Sequence, residues 1–260
     1  MIDRFAGTAE YYAKYRPGYP SAVFDRVRSA FRLDGNGRLL DLGCGTGEIA
    51  RPLHTDFEDV VGLDISQEMI DEAERRSALA GITNITWMRM PAEELSECLG
   101  PFRLATLGNA FHWMQQAEVL KRVYALIEPT GGVVILGNPG GFWAGDDPWE
   151  GVVQEVLERW LAQWRGARQG ITPNGDGAEK VSIAASRFVD VELGEHRWQR
   201  AVDVDTIIGE VFSTSFASRA VLGEKADAFA ADLRKSLLAL EPSGRFIERI
   251  RTEFIFGYKH

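Results

Sequence analysis

Three glycines at alternate positions, Gly43, Gly45 and Gly47, follow the apolar run Leu39-Leu40-Asp41-Leu42 and lead into a helical stretch. Residues without a Cβ let a strand turn sharply and present bare backbone N–H groups to a ligand at the positive end of a helix. Asp41 adds weight, because a carboxylate ending a buried strand is costly unless it is solvated or paired. A second acid, Asp64, ends the next apolar run, Val60 to Leu63, 17 residues after Gly47. An acid there accepts both hydroxyls of an adenosine ribose lying across the strand ends. Ser66 is placed to cap the helix that follows, and Ile65 and Met69 offer apolar surface to an adenine. The spacing is G-x-G-x-G. The dinucleotide pattern G-x-G-x-x-G requires a glycine where Glu48 stands.

These residues need a frame that brings strand ends together, and the chain supplies one. Short apolar runs at Leu39 to Leu42, Val60 to Leu63, Ile85 to Met90, Leu104 to Leu107 and Val133 to Leu136 alternate with amphipathic stretches. Runs this short, flanked by Gly and Asp, predict buried parallel strands, and the alternation predicts a doubly wound α/β sheet. Pro52 falls in the helix after the glycine turn, where it removes one backbone bond and bends the helix. Beyond Leu136 the pattern changes. Asp147-Pro148 opens a long helix carrying Trp149, Val153, Val156, Leu157 and Trp160, Phe188 to Val202 reads as extended, two more helices follow, and the chain ends in a strand over residues 253–258. Helices interrupting the second half of a sheet fold predict a cap over the strand ends.

The 260 residues approach the upper limit of a single core, so one large domain with a lid is expected. A net charge of -9 repels phosphate backbones and anionic membranes, which excludes duplex nucleic acid and a membrane surface as expected partners. The two cysteines, Cys44 and Cys98, indicate neither a disulfide framework nor a metal site. No apolar run of signal or membrane-spanning type occurs, so a cytoplasmic location is expected.

The motifs resemble a known family. Leu40-Asp41-Leu42-Gly43-Cys44-Gly45-Thr46-Gly47, then Asp64, then Met90-Pro91-Ala92-Glu93-Glu94-Leu95, then Ala110-Phe111-His112-Trp113 look like class I S-adenosylmethionine-dependent methyltransferases. Tyr15-Arg16-Pro17-Gly18-Tyr19-Pro20 and Ser213-Thr214-Ser215-Phe216 are similar to the subgroup acting on small molecules. The resemblance implies a seven-stranded, mostly parallel Rossmann-like sheet with the last strand antiparallel, plus a helical cap. S-Adenosylmethionine would be the cofactor, S-adenosylhomocysteine its product, and a small molecule the methyl acceptor. It further implies that the glycine turn lies along the methionine part of the cofactor, Asp64 holds the ribose, Ala92 and Glu93 edge the adenine, and Asn109 lies near the sulfonium. Tyr15 and Arg16 would close over the methionine end, where an Arg can pair with a carboxylate and a Tyr face can meet a sulfonium cation. Two positions depart from the family pattern: Arg103, where relatives often have Asp, and Pro91, where an Asp often contacts the adenine amine.

His112 follows the fourth strand, where the methyl is expected to point, and is the candidate base; the other reading is a structural turn that packs the cap. Tyr11, Tyr12, Trp113, Phe142 and Trp143 are candidate walls of an acceptor chamber, whose aromatic character favours a sizeable, partly apolar molecule. The expected division is a lid over 1–36, a cofactor-binding core over 37–137, a cap with the sixth strand over 138–240 and the final strand over 241–260. The expected activity is methyl transfer to an oxygen or nitrogen of a small metabolite, as in specialised metabolism. The alternatives are an NAD-dependent oxidoreductase and a catalytically silent cofactor-binding homologue.

Overall fold

The computed structural model describes residues 7–139, 147–161 and 177–260. Its strands are β1 (Arg38–Leu42), β2 (Asp59–Asp64), β3 (Ile85–Arg89), β4 (Phe102–Gly108), β5 (Ile127–Gly137), β6 (Val189–Asp203) and β7 (Arg245–Tyr258). They form one seven-stranded sheet in the order β3-β2-β1-β4-β5-β7-β6. β1 to β4 pair in parallel with their neighbours, as do β4 and β5, and β7 runs antiparallel to β5. This is the sheet that the alternating apolar runs and the resemblance imply.

Strand periodicity explains why those runs are continuously apolar. Leu40, Leu42, Val61, Leu63, Ala105, Leu107, Val133 and Ile135 point to one face, where Val119, Leu120 and Val123 of α5 (Gln116–Leu126) cover them. Leu39, Val60, Leu104, Val134 and Leu136 point to the other and meet Val23, Phe24, Val27 and Phe31 of α2 (Ser21–Phe31). Both faces are buried, so both parities must be apolar. Asp41 shares its parity with Leu39 and therefore enters the second layer.

Three sequence signals are refined by the structure. α3 (Ala50–Leu53) contains Pro52 and lasts only four residues before a 3-10 turn over His54–Asp56, in keeping with the missing N–H. β5 starts six residues earlier than the run Val133 to Leu136 suggests, because Pro129 and Gly131 sit in a stretch where the β4–β5 register shifts, a place where a strand tolerates them. Arg103 ties β4 to the end of α2: its guanidinium donates to the carbonyls of Phe31, Arg32 and Asn36 and pairs with Asp34. That tie accounts for a basic residue at this strand opening.

The chain divides into two compact units. The larger contains Gly18–Gly137, Thr172–His196 and Thr252–His260, and the second contains Met1–Pro17, Asn138–Ile171 and Arg197–Arg251. β6 and β7 thus contribute residues to both. In the second unit α6 (Pro148–Trp160), α8 (Val204–Phe212) and α10 (Ala226–Leu240) share a core of Trp149, Val153, Leu157, Ile207, Val211, Phe229 and Leu233. Its other helices among the described residues are α1 (Ala9–Tyr15) and α9 (Arg219–Leu222), while α4 (Gln67–Leu79) and α7 (Ala178–Ala184) belong to the larger unit. Trp164, the last residue of the long helical pattern opened by Asp147-Pro148, lies outside the described residues. No helix among the described residues is long and apolar enough to cross a membrane.

Candidate active site

The glycine turn sits at the carboxyl end of β1. Gly43, Gly45 and Gly47 adopt φ of 62°, 53° and 85°, which only glycine enters without strain. The turn is then fixed at both ends. The Cys44 N–H donates to the Leu63 carbonyl at 2.9 Å, and the Gly45 N–H donates to Asp64 Oδ2 at 2.9 Å. Asp64 Oδ1 accepts the Ser66 N–H at 2.9 Å. One carboxylate therefore joins the glycine turn of β1 to the first turn of α4, and it does so at the end of β2. Ser66 does not cap α4 through its side chain; its Oγ is buried without a hydrogen-bond partner among the described residues, and it is the Ser66 N–H that is held, by the Asp64 carboxylate.

Asp41 does different work from that expected of a ligand-binding acid. It is 1% exposed, accepts from Thr106 Oγ1 at 2.8 Å and from the Ala50 N–H at 3.1 Å, and so ties β1 to β4 and to the start of α3 beneath the turn. Burial raises its pKa to about 7 against the opposing pull of those two hydrogen bonds. For a carboxyl whose folded pKa lies above its unfolded value, the fold gains nothing below about pH 4, loses about 1.4 kcal/mol per unit as pH climbs to about 7, and stays level above that. Asp41→Asn is thus expected to flatten the fall in Tm between pH 5 and pH 8. Glu210 is shifted in the same direction, by burial first and then by Glu248, so the variant keeps a residual slope; an unchanged slope contradicts the account.

Sequence reading missed the outer clamp of the turn. Thr46 Oγ1 donates to Glu48 Oε1 at 2.7 Å, and Arg76 of α4 reaches both, with Nη1 at 3.0 Å from Thr46 Oγ1 and paired with the Glu48 carboxylate. Trp87 of β3 backs the same turn: a Cβ on Gly62 would lie 2.4 Å from its ring, and one on Gly47 2.8 Å from it. Glu48 was visible only as the glycine missing from a dinucleotide fingerprint. Its partner Arg76 lies 28 residues away and leaves no local signal.

Around the adenine expected from the resemblance, Ile65 is half-buried, whereas Met69 and Ala92 are 4% and 6% exposed and pack into the core. Ile65 is therefore the apolar side chain with surface to offer at this end. Glu93 Oε1 accepts the Gln115 N–H at 3.0 Å, which fixes the loop after β3 to the start of α5. After β4, Asn109 takes a left-handed φ of 51° and donates its N–H to the Leu136 carbonyl at 2.9 Å. Gly43 and this loop are in contact, since a Cβ on Gly43 would lie 2.4 Å from Ala110 Cβ.

His112 and Trp113 follow in a 3-10 turn, with ring centroids 5.0 Å apart. Burial lowers the His112 pKa to about 4, so the ring is neutral at physiological pH. The expected result is that the His112 Cε1–H resonance does not titrate between pH 5.5 and pH 8; a titration midpoint near the ordinary value of about 6.5 contradicts the burial.

The remaining candidates belong to the second unit. Tyr11 stacks on Tyr15 with centroids 6.0 Å apart and meets Phe212 edge-on at 5.5 Å. These rings, with Lys14, Thr206 and Arg219, line a cavity of about 480 Å³. Arg16 lies over the Tyr12 ring at 5.5 Å, and its Nε donates to Ser213 Oγ at 2.8 Å. Phe142 and Trp143 lie outside the described residues.

Residues 39–131 match the family model for a methyltransferase domain. The chain is 26% identical over 152 residues to an uncharacterized methyltransferase-like protein of Schizosaccharomyces pombe, a stretch covering 57% of this chain and 56% of that protein. It is 24% identical over 195 residues to a probable S-adenosylmethionine-dependent methyltransferase of Saccharomyces cerevisiae, covering 70% and 64%. Among solved structures, a putative type II methyltransferase from Anaeromyxobacter dehalogenans shares the fold over 95% of this chain and 98% of that one, with a TM-score of 0.65 and 19% identity. The chain thus spans a little over half the length of the fission yeast relative. The matched segment is the one that holds the glycine turn, Asp64 and the loop after β4, and in that segment and in its sheet the chain is similar to S-adenosylmethionine-dependent methyltransferases.

Proposed function

We propose that the protein transfers a methyl group from S-adenosylmethionine to an oxygen or nitrogen of a small metabolite. The observation that carries this reading is Asp64, whose carboxylate is held by the Gly45 and Ser66 N–H groups at the end of β2, where a ribose diol needs an acceptor. The cradle fits the group: three left-handed glycines leave the backbone without side chains above β1, and the Asp64 carboxylate stands beside them. In this reading the turn receives the methionine part, Asp64 accepts from the ribose hydroxyls, and Ile65 covers the adenine. Bound there, S-adenosylmethionine supplies an electrophilic methyl on a sulfonium.

Neutral His112 takes the proton of the acceptor O–H or N–H onto its unprotonated ring nitrogen. With a pKa of about 4 it is a weak base, though always in the accepting form. Most of the rate then comes from alignment of the acceptor, which can supply several kcal/mol without a strong base. The net charge of -9 favours a small acceptor over nucleic acid.

Methyl-labelled S-adenosylmethionine, incubated with the protein and separated small-molecule, RNA and protein fractions of an extract, tests the acceptor class. Label is expected in the small-molecule fraction; label confined to RNA or protein overturns that part of the reading.

A further inference from the structure

Two arginines stand side by side near the end of α4 and do different work. The Arg75 side chain is 59% exposed and pairs with Glu72 of its own helix. Arg76 follows Ala73 by three residues, which sets it beside the buried stripe of Met69, Ala73 and Ser77, and its side chain is 22% exposed. From there its Nη1 crosses to the glycine turn, where it lies 3.0 Å from Thr46 Oγ1 and 3.5 Å from the Thr46 carbonyl oxygen and pairs with Glu48. Thr46 is fully buried, so its hydroxyl needs partners inside the protein. It has two: it donates to Glu48 Oε1 at 2.7 Å and accepts from Arg76. A hydroxyl set between a carboxylate and a guanidinium makes charge-assisted bonds on both sides, which are stronger than neutral ones.

The turn needs this hold. Gly45 and Gly47 flank Thr46, and glycine takes positive and negative φ about equally, so the flanking residues do not choose how Thr46 is oriented. On the inner side Asp64 fixes the Gly45 N–H, and the Gly47 N–H donates to the Cys44 carbonyl at 2.9 Å. Neither bond includes an atom of Thr46. Among the described residues Arg76 is the side chain outside the turn that bonds Thr46. Arg51 is the other cation that faces Glu48, and the Glu48 side chain is 25% exposed, so replacing Arg76 strands no buried charge and leaves the fold in place.

We propose that Arg76 is a positioning residue, which through Thr46 holds the glycine turn in the shape that receives the methionine part of the cofactor. This rests on the reading that the turn binds an S-adenosyl nucleoside. Arg76 acts through Thr46 and is assigned no contact with the ligand. The test uses Arg76→Met, which keeps the apolar stem and removes the donors, and Arg76→Lys, which keeps a charged donor on a shorter stem.

Two readouts separate the inference from the reading beneath it. Hydrogen exchange in the ligand-free protein is expected to speed up about tenfold at the Gly47 amide in Arg76→Met, and less in Arg76→Lys, with the β4 amides unchanged. Calorimetry with S-adenosylhomocysteine is expected to show Kd about tenfold higher in Arg76→Met and about threefold higher in Arg76→Lys. The rise is expected to be less than about twofold when Arg76→Met is added to Thr46→Val, which has already lost the hydroxyl. Equal losses in both backgrounds mean a general structural role and overturn the proposal. Unchanged exchange at Gly47 overturns it as well, whatever the affinity. An unchanged Kd in Arg76→Met, with the wild type binding, removes Arg76 from the account and leaves the reading of the turn standing. If the wild-type protein binds no S-adenosylhomocysteine, the reading of the turn fails, and with it the purpose assigned to Arg76.

Discussion

Asp64→Ala is expected to weaken S-adenosylhomocysteine binding by a factor of about a thousand. Hydrogen bonds to a charged acceptor are worth roughly 1.5–3 kcal/mol each, and the proposed ribose contact uses two, so about 4 kcal/mol is at stake. The same carboxylate holds the Gly45 and Ser66 N–H groups, so the empty protein loses stability as well. Two neutralised backbone ties cost roughly 2 kcal/mol together, a fall in Tm of about 4–8 °C at this size. Asp64→Asn separates charge from shape. Its amide turns an NH2 donor toward one of the two backbone N–H groups, so it is expected to bind almost as poorly as the alanine variant. Calorimetric titration and thermal unfolding of both variants measure the two effects. An affinity within tenfold of the wild type in Asp64→Ala removes the ribose contact from the account.

Gly43→Ala should cost more stability than any other single methyl in the turn. A left-handed φ of 62° is strained for alanine by about 1–2 kcal/mol. The added Cβ would also lie 2.4 Å from Ala110 Cβ, which no side-chain rotation relieves, and 3.0 Å from the more pliable Met114 Cε. The loop carrying Asn109 and His112 must shift, so binding is lost along with about 3 kcal/mol or more, as for overpacked sites elsewhere. Gly81→Ala is the control. Its φ of 68° is as strained, but nothing lies within 4 Å of the added atom, so only the backbone cost of about 1–2 kcal/mol remains. A fall in Tm for Gly43→Ala no greater than that for Gly81→Ala contradicts the close approach of the turn to the loop after β4.

The contrast between these positions shows what the sequence makes legible. Both parities of β1, β2, β4 and β5 are buried, so continuous apolar runs announce the sheet and its class. Glycines at every second position and an acid ending the next run are local signals, and they point to the turn and to Asp64. Pairings across long separations leave no such trace. Thr106 donating to Asp41 is 65 residues away, and without it Asp41 looks like an acid waiting for a ligand instead of a tie inside the sheet. Ser66 reads as a cap by residue type, yet Asp64 two positions earlier supplies the acceptor. Arg103 looks like a departure from a family pattern until the carbonyls at the end of α2 are seen around it. Arg76 has no motif at all. Its role depends on Thr46 and Glu48, brought to it from another element.

The central claim is that the glycine turn and Asp64 bind an S-adenosyl nucleoside. Titration of the wild-type protein with S-adenosylhomocysteine, and separately with NAD, tests it directly. The account predicts one saturable site for S-adenosylhomocysteine, with a rise in Tm that grows with its concentration as linkage requires, and no heat or stabilisation from NAD. Saturable binding of NAD with none of S-adenosylhomocysteine would contradict it.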